Sequence, residues 1–174
     1  MGVITYEHEI TSSIPPNKMF KALILDTDNL IPNILPLTIK SVQILEGNRK
    51  ISNIWRRSQF ISVKQHIDGI DEVNHTCKYS VIEGGALAGV HDSISYVVKI
   101  EADPRGGSVC KNSSAYHTKG KEHNITEDKI KEGKEKAKAL FKAIEAHLRS
   151  MPIPIPTTNE KFSLVFLVFL GLRI

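Results

Sequence analysis

Residues 3–11 alternate in character. Ile4, Tyr6, His8 and Ile10 share one face, and Val3, Thr5, Glu7, Glu9 and Thr11 share the other. A period of two predicts a strand with one face covered. The same alternation recurs over 39–46, 59–68, 76–83, 92–102 and 108–117, with a further strand beginning near Lys50. The turn signals "EGGALAG" at 83–89 and "DPRGG" at 103–107 separate closely spaced runs. Connections this short leave no room for helical crossovers, so the pairing is expected to be antiparallel.

Helical patterns interrupt the strands. In "SSIPPNKMFKALIL", Ser13 is a candidate N-cap, Pro16 suits the first turn, and Phe20, Leu23 and Ile24 form an apolar stripe. A second short helix fits 29–35 and closes at Pro36. Towards the C-terminus the period changes. Ile130, Ala137, Leu140, Phe141, Ile144, Leu148 and Met151 recur at steps of three and four, which predicts a long amphipathic helix. Asn124 and Glu127 are its candidate capping pair, and its lysines lie mostly off the apolar stripe on a solvated face. These elements compose an α+β architecture, a long helix laid on a curved antiparallel sheet with two short helices near one end. One helix fills a curved sheet incompletely, which predicts an internal cavity suited to apolar ligands.

Composition narrows the class. The chain has 174 residues, 41% hydrophobic and 24% charged, with a net charge of +4. That is one ordinary domain, too mildly basic to predict a nucleic-acid partner. The longest apolar run, Phe162 to Leu172, is shorter than the roughly 20 residues a spanning helix needs. The N-terminus lacks a leader pattern, so a cytoplasmic protein is expected, with Cys77 and Cys110 as buried free thiols. Sequons at Asn74, Asn112 and Asn124 then read as chance matches. No phosphate loop, dinucleotide fingerprint or nucleophile elbow occurs, and the seven histidines lack metal-ligand spacing. No metal or cofactor is expected. Glu145 and His147 are two apart on the long helix and do not face each other as an acid–base pair would.

Several segments in order carry a family resemblance: "MGVITYEHEITSSIPPNKMFKALILDTDNLIP", "ILEGN", "YSVIEGGAL", "GGSVCKNSSAYHTKG" and "IKEGKEKAKALFKAIEAHL". Over about residues 1–150 the chain resembles the plant pathogenesis-related class-ten proteins, the major birch pollen allergen family. The resemblance implies a helix-grip fold: a curved seven-stranded antiparallel sheet wrapped around the C-terminal helix, two short helices in a V, and a large cavity. It divides the chain into a ligand-binding domain, 1–151, and an atypical tail, 152–174.

The resemblance also implies a stress or defence protein and allergen homologue that holds flavonoids, cytokinins, brassinosteroids or fatty acids. It implies a monomer, or at most a weak dimer. Tyr79 and Tyr96 match cavity aromatics, and Arg49 a basic lip. Leu23, Asp28, Leu30, Ile82, Val98, Ala137, Leu140, Phe141 and Ile144 fall near cavity-lining positions, where the plain-core reading stands beside the binding one. Cys77 stands where relatives often carry another tyrosine. A ribonuclease alternative places Arg49 or Lys50, Asp92, Glu145 and His147 in the roles of cation and proton carriers. Further alternatives are an enzyme of the norcoclaurine-synthase branch and an abscisic-acid-receptor-like protein that inhibits a phosphatase.

One segment departs from the family. Asn48 runs straight into "RKISNIWRRSQF", where relatives carry a glycine-rich loop and a further glycine-bearing turn. Without that loop the second hairpin lacks its usual turn, and Asn48 is the remaining turn residue.

Overall fold

The computed structural model describes residues 2–26, 30, 33–34, 39–44, 49–56, 59–84, 91–118 and 127–150. The alternating N-terminal run is strand β1 (Gly2–Ser12). Helix α1 (Pro16–Phe20) continues into a π-helical turn over Lys21–Leu25, burying Met19, Phe20, Ala22, Leu23 and Ile24. Six strands follow: β2 (Ile39–Ile44), β3 (Arg49–Arg56), β4 (Gln59–Asp71), β5 (Thr76–Gly84), β6 (His91–Ala102) and β7 (Ser108–Thr118). Helix α2 (Glu127–Ser150) is the long C-terminal element. Of the short helix expected over 29–35, Leu30, Asn33 and Ile34 are described and helical.

All seven strands form one antiparallel sheet in the order β1-β7-β6-β5-β4-β3-β2. The altered segment does pair. β2 meets β3 from Ile39↔Ile54 to Ile44↔Lys50, and β3 meets β4 from Arg49↔His66 to Arg56↔Gln59. Missing glycines therefore do not prevent the second hairpin. The ladder is made by backbone groups, which every residue except proline supplies in full.

The β6–β7 connection shows why "DPRGG" is needed. The Asp103 carboxylate accepts hydrogen bonds from the Arg105 backbone N–H and guanidinium. Gly106 and Gly107 adopt φ of 99° and 84°. A Cβ on Gly107 would lie 2.0 Å from the Ser12 carbonyl oxygen, so the turn packs backbone against the end of β1.

Ser13 does not cap α1 as expected. The N-cap is Pro15, with no side-chain cap, and Pro16 opens the helix. Proline at the first turn removes one of the N–H groups that a cap would satisfy. Ser13 turns instead to α2, where its N–H and hydroxyl both donate to Glu145 Oε1, at 2.9 and 2.8 Å. On α2, Ala137, Leu140, Phe141 and Ile144 are buried at helical spacing, as the pattern predicted.

Candidate functional site: the covered face of the sheet

Strand register arranges the inward side chains in cross-strand rows. One row runs Ile4, Tyr116, Ile94, Val81, Gln65; the next runs Tyr6, Ser114, Tyr96, Tyr79, Ile67. A third runs His8, Asn112, Val98, Cys77, Ile70. The alternation of burial along β1 and β7 identifies this as the covered face.

Its centre is aromatic. Tyr79 and Tyr96 stack with ring centroids 4.8 Å apart and parallel planes. Tyr6 and Tyr116 meet edge to face at 5.8 Å. Burial pushes the Tyr79 hydroxyl well above the ordinary phenol range, and neighbouring Tyr96 adds to the shift. Burial does the same at Tyr96, where Tyr116 adds to it through charge and a hydrogen bond. Both therefore remain neutral phenols, each an apolar ring with a polar tip.

Polar groups flank the aromatics. Gln65 is fully buried, and neither its Nε2 nor its Oε1 has a hydrogen-bond partner. Asn112 Oδ1 and Ser108 Oγ are likewise buried without one. Each such group costs about 1–3 kcal/mol relative to a partnered one. Burial lowers the His8 pKa, and Lys134 lowers it further, so this imidazole is neutral at neutral pH. The two thiols are buried, and burial pushes Cys110 up to about 12. A thiol held in that form is a poor nucleophile.

The expected binding residues divide cleanly. Tyr79, Tyr96 and Val98 lie on the covered face, and Leu23, Leu30, Ala137, Leu140, Phe141 and Ile144 are buried with them in one core. Ile82 is a correction. It is 38% exposed, because Tyr79 and Val81 point inward and the residue after Val81 must point out. Asp28 lies outside the described residues. The register sets Lys50 opposite Gln65, whereas Arg49 is opposite His66, whose imidazole bonds Asp68 on the outer face. Gln65 and Asn112 carry no expected role in the site, and His8 was placed from sequence only as a member of the Ile4 face. The signal was their spacing of two from inward apolar neighbours. Asn112 is 3% exposed, so its sequon is closed to a glycan in the folded chain.

The ribonuclease candidates are not brought together. Glu145 sits beside Ser13 and Thr11, at the C-terminal end of β1, where Lys142 bridges the Thr11 carbonyl and Glu145 Oε2. Asp92 lies near the start of β6, next to His91, which pairs with Thr118. Thr118 in turn pairs with Gly2, at the other end of β1. Lys50 pairs in register with Gln65, whose row reaches Ile4, also near that other end. From the Ile4 row to Ser12 is about 27 Å along the strand. His147, half-buried, lies two residues from Glu145 on the same helix. Burial works to raise the Glu145 pKa, but hydrogen bonds from Lys142 and Ser13 outweigh it and hold it at about 2. A carboxylate so engaged has no proton to give near neutral pH.

Comparison with known proteins follows the same lines. The Pathogenesis-related protein Bet v 1 family matches residues 1–151. Major allergen Pru ar 1 of Prunus armeniaca is 49% identical over 87% of this chain and 98% of its own length. Major strawberry allergen Fra a 1.08 of Fragaria ananassa is 47% identical over the same shares. Among solved structures, Ara h 8.0201 is 36% identical, with a TM-score of 0.76, over 86% of this chain and all of that one. Norcoclaurine synthase from Thalictrum flavum shares the fold at 20% identity and a TM-score of 0.68, over 88% of this chain and 90% of that one. No helix among the described residues is long and apolar enough to cross a membrane. With a seven-stranded antiparallel sheet, a long C-terminal helix and relatives at nearly half identity, the chain belongs to the Pathogenesis-related protein Bet v 1 family.

Proposed function

We propose that this protein holds small, largely apolar molecules between the covered face of the sheet and α2, without covalent chemistry. The ligand classes are flavonoids, cytokinins, brassinosteroids and fatty acids, and the setting is plant defence or stress in the cytoplasm, as a monomer. The observation that carries this reading is the stacked Tyr79–Tyr96 pair with the unpartnered amide of Gln65 one row away. Flat rings favour a flat apolar body, and an amide with free donor and acceptor favours one polar end. A core built only for stability would place an apolar residue of similar size at Gln65.

The named relatives are major allergens, and allergen homology is proposed for this chain on that likeness. The Glu145 environment and its distance along the sheet from Asp92 disfavour the ribonuclease alternative. The test is displacement of a fluorescent apolar probe from the purified protein by a flavonol or a cytokinin. Binding is expected to saturate at one probe per chain. A probe that fails to bind the folded protein would overturn the reading.

A further inference from the structure

Asn112 lies on the covered face of β7, on the opposite side of the tyrosine pair from Gln65 in strand order. Its strand partners in register are His8 on β1 and Val98 on β6. Along β7 its inward neighbours are Cys110 and Ser114. The Ser114 hydroxyl already donates to the Tyr6 carbonyl, and Cys110 keeps its proton on a weakly donating sulfur. Val98 offers no donor. Asn112 Oδ1 itself is buried and accepts no hydrogen bond from any of its neighbours, His8 included.

An isolated buried acceptor is unfavourable, and an apolar residue of the same shape would remove the cost. We propose that Asn112 is a specificity-determining acceptor that selects ligands presenting a hydroxyl or N–H donor at this position. The inference rests on the binding role proposed above. An ether or an ionised carboxylate brings no proton and leaves Oδ1 unsatisfied. Sites with a buried polar group discriminate strongly against analogues that lack the complementary group. Among otherwise similar apolar molecules, those with free hydroxyls are therefore preferred over their methyl ethers and over carboxylates.

The experiment compares trihydroxystilbene with trimethoxystilbene by titration calorimetry, on the full chain and on Asn112→Leu. Wild type is expected to bind the hydroxylated stilbene more tightly. Asn112→Leu weakens that binding about tenfold, the loss of one good hydrogen bond, and leaves the methoxylated stilbene within about twofold. The melting temperature stays level or rises, which a purely structural asparagine would not allow. Unchanged binding of the hydroxylated stilbene by Asn112→Leu would overturn the inference alone. Equal weakening of both stilbenes, in Asn112→Leu and in Asn112→Ala, would assign Asn112 a structural role and overturn it too. If wild type binds the fluorescent apolar probe but neither stilbene, the inference falls and the binding role stands; if it binds neither the probe nor a stilbene, both fall.

Discussion

Tyr79 and Tyr96 are register partners on β5 and β6, and their rings stack in parallel at 4.8 Å. Both are buried, so each contributes ring packing to the core and a hydroxyl to the interior. The two roles are separable. Tyr79→Phe keeps the ring and is expected to change stability by less than about 1.5 kcal/mol. Tyr79→Ala leaves a cavity and is expected to cost about 3–5 kcal/mol. Denaturant unfolding of both variants checks the contrast. Similar losses in the two would mean that the hydroxyl, not the ring, carries the stability.

Glu145 ties α2 to the turn after β1, through Ser13, Lys142 and Arg149. Its folded pKa of about 2 lies below the ordinary value of 4.5. The stabilisation is therefore complete above pH 4.5 and fades as pH falls towards 2. Glu145→Gln keeps an acceptor for Ser13 but loses the charge. It is expected to cost about 1–3 kcal/mol at neutral pH, and the gap to wild type should narrow in acid. Thermal melts across that range test this, and a gap that stays constant would contradict it.

The β6–β7 turn yields a paired test. Gly106 and Gly107 both have positive φ, but only Gly107 has backbone within van der Waals reach of an added Cβ. Gly106→Ala is expected to cost about 1–2 kcal/mol, the left-handed penalty alone. Gly107→Ala should cost clearly more, because the Ser12 carbonyl and Ser13 backbone must move. Equal losses by chemical denaturation would show that the turn shifts freely.

The family match ends at residue 151, and the apolar run Phe162 to Leu172 follows it. A run of this composition favours aggregation when exposed. Truncation after Met151 is expected to leave ligand binding unchanged and to raise the soluble fraction. Loss of binding on truncation would give the tail a part in the site.

Much of the sheet was legible because the period of two survives almost unbroken along each strand. The long helix was legible from Ala137, Leu140, Phe141 and Ile144. The site was harder to read. Gln65 and Asn112 look like outward polar residues until the register of β4 on β5 and β7 on β6 turns them inward. Ile82 was placed by its likeness to a cavity-lining position of the family, whereas Val81, its neighbour, holds that face and leaves Ile82 outside. Asp92 and Glu145 carry suitable chemistry, but only topology shows that they stand towards opposite ends of β1. Ser13 read as a cap for the nearest helix and instead binds one 132 residues away in sequence.

In the proposed binding role, Gln65 serves the ligand and not the fold. The direct measurement is titration calorimetry of a flavonol into wild type and Gln65→Leu, with thermal melts of both. Wild type should bind, and Gln65→Leu should bind about tenfold more weakly while melting at the same temperature or higher. Unchanged affinity, with a lower melting temperature in Gln65→Leu, would contradict the claim and return Gln65 to the structural core.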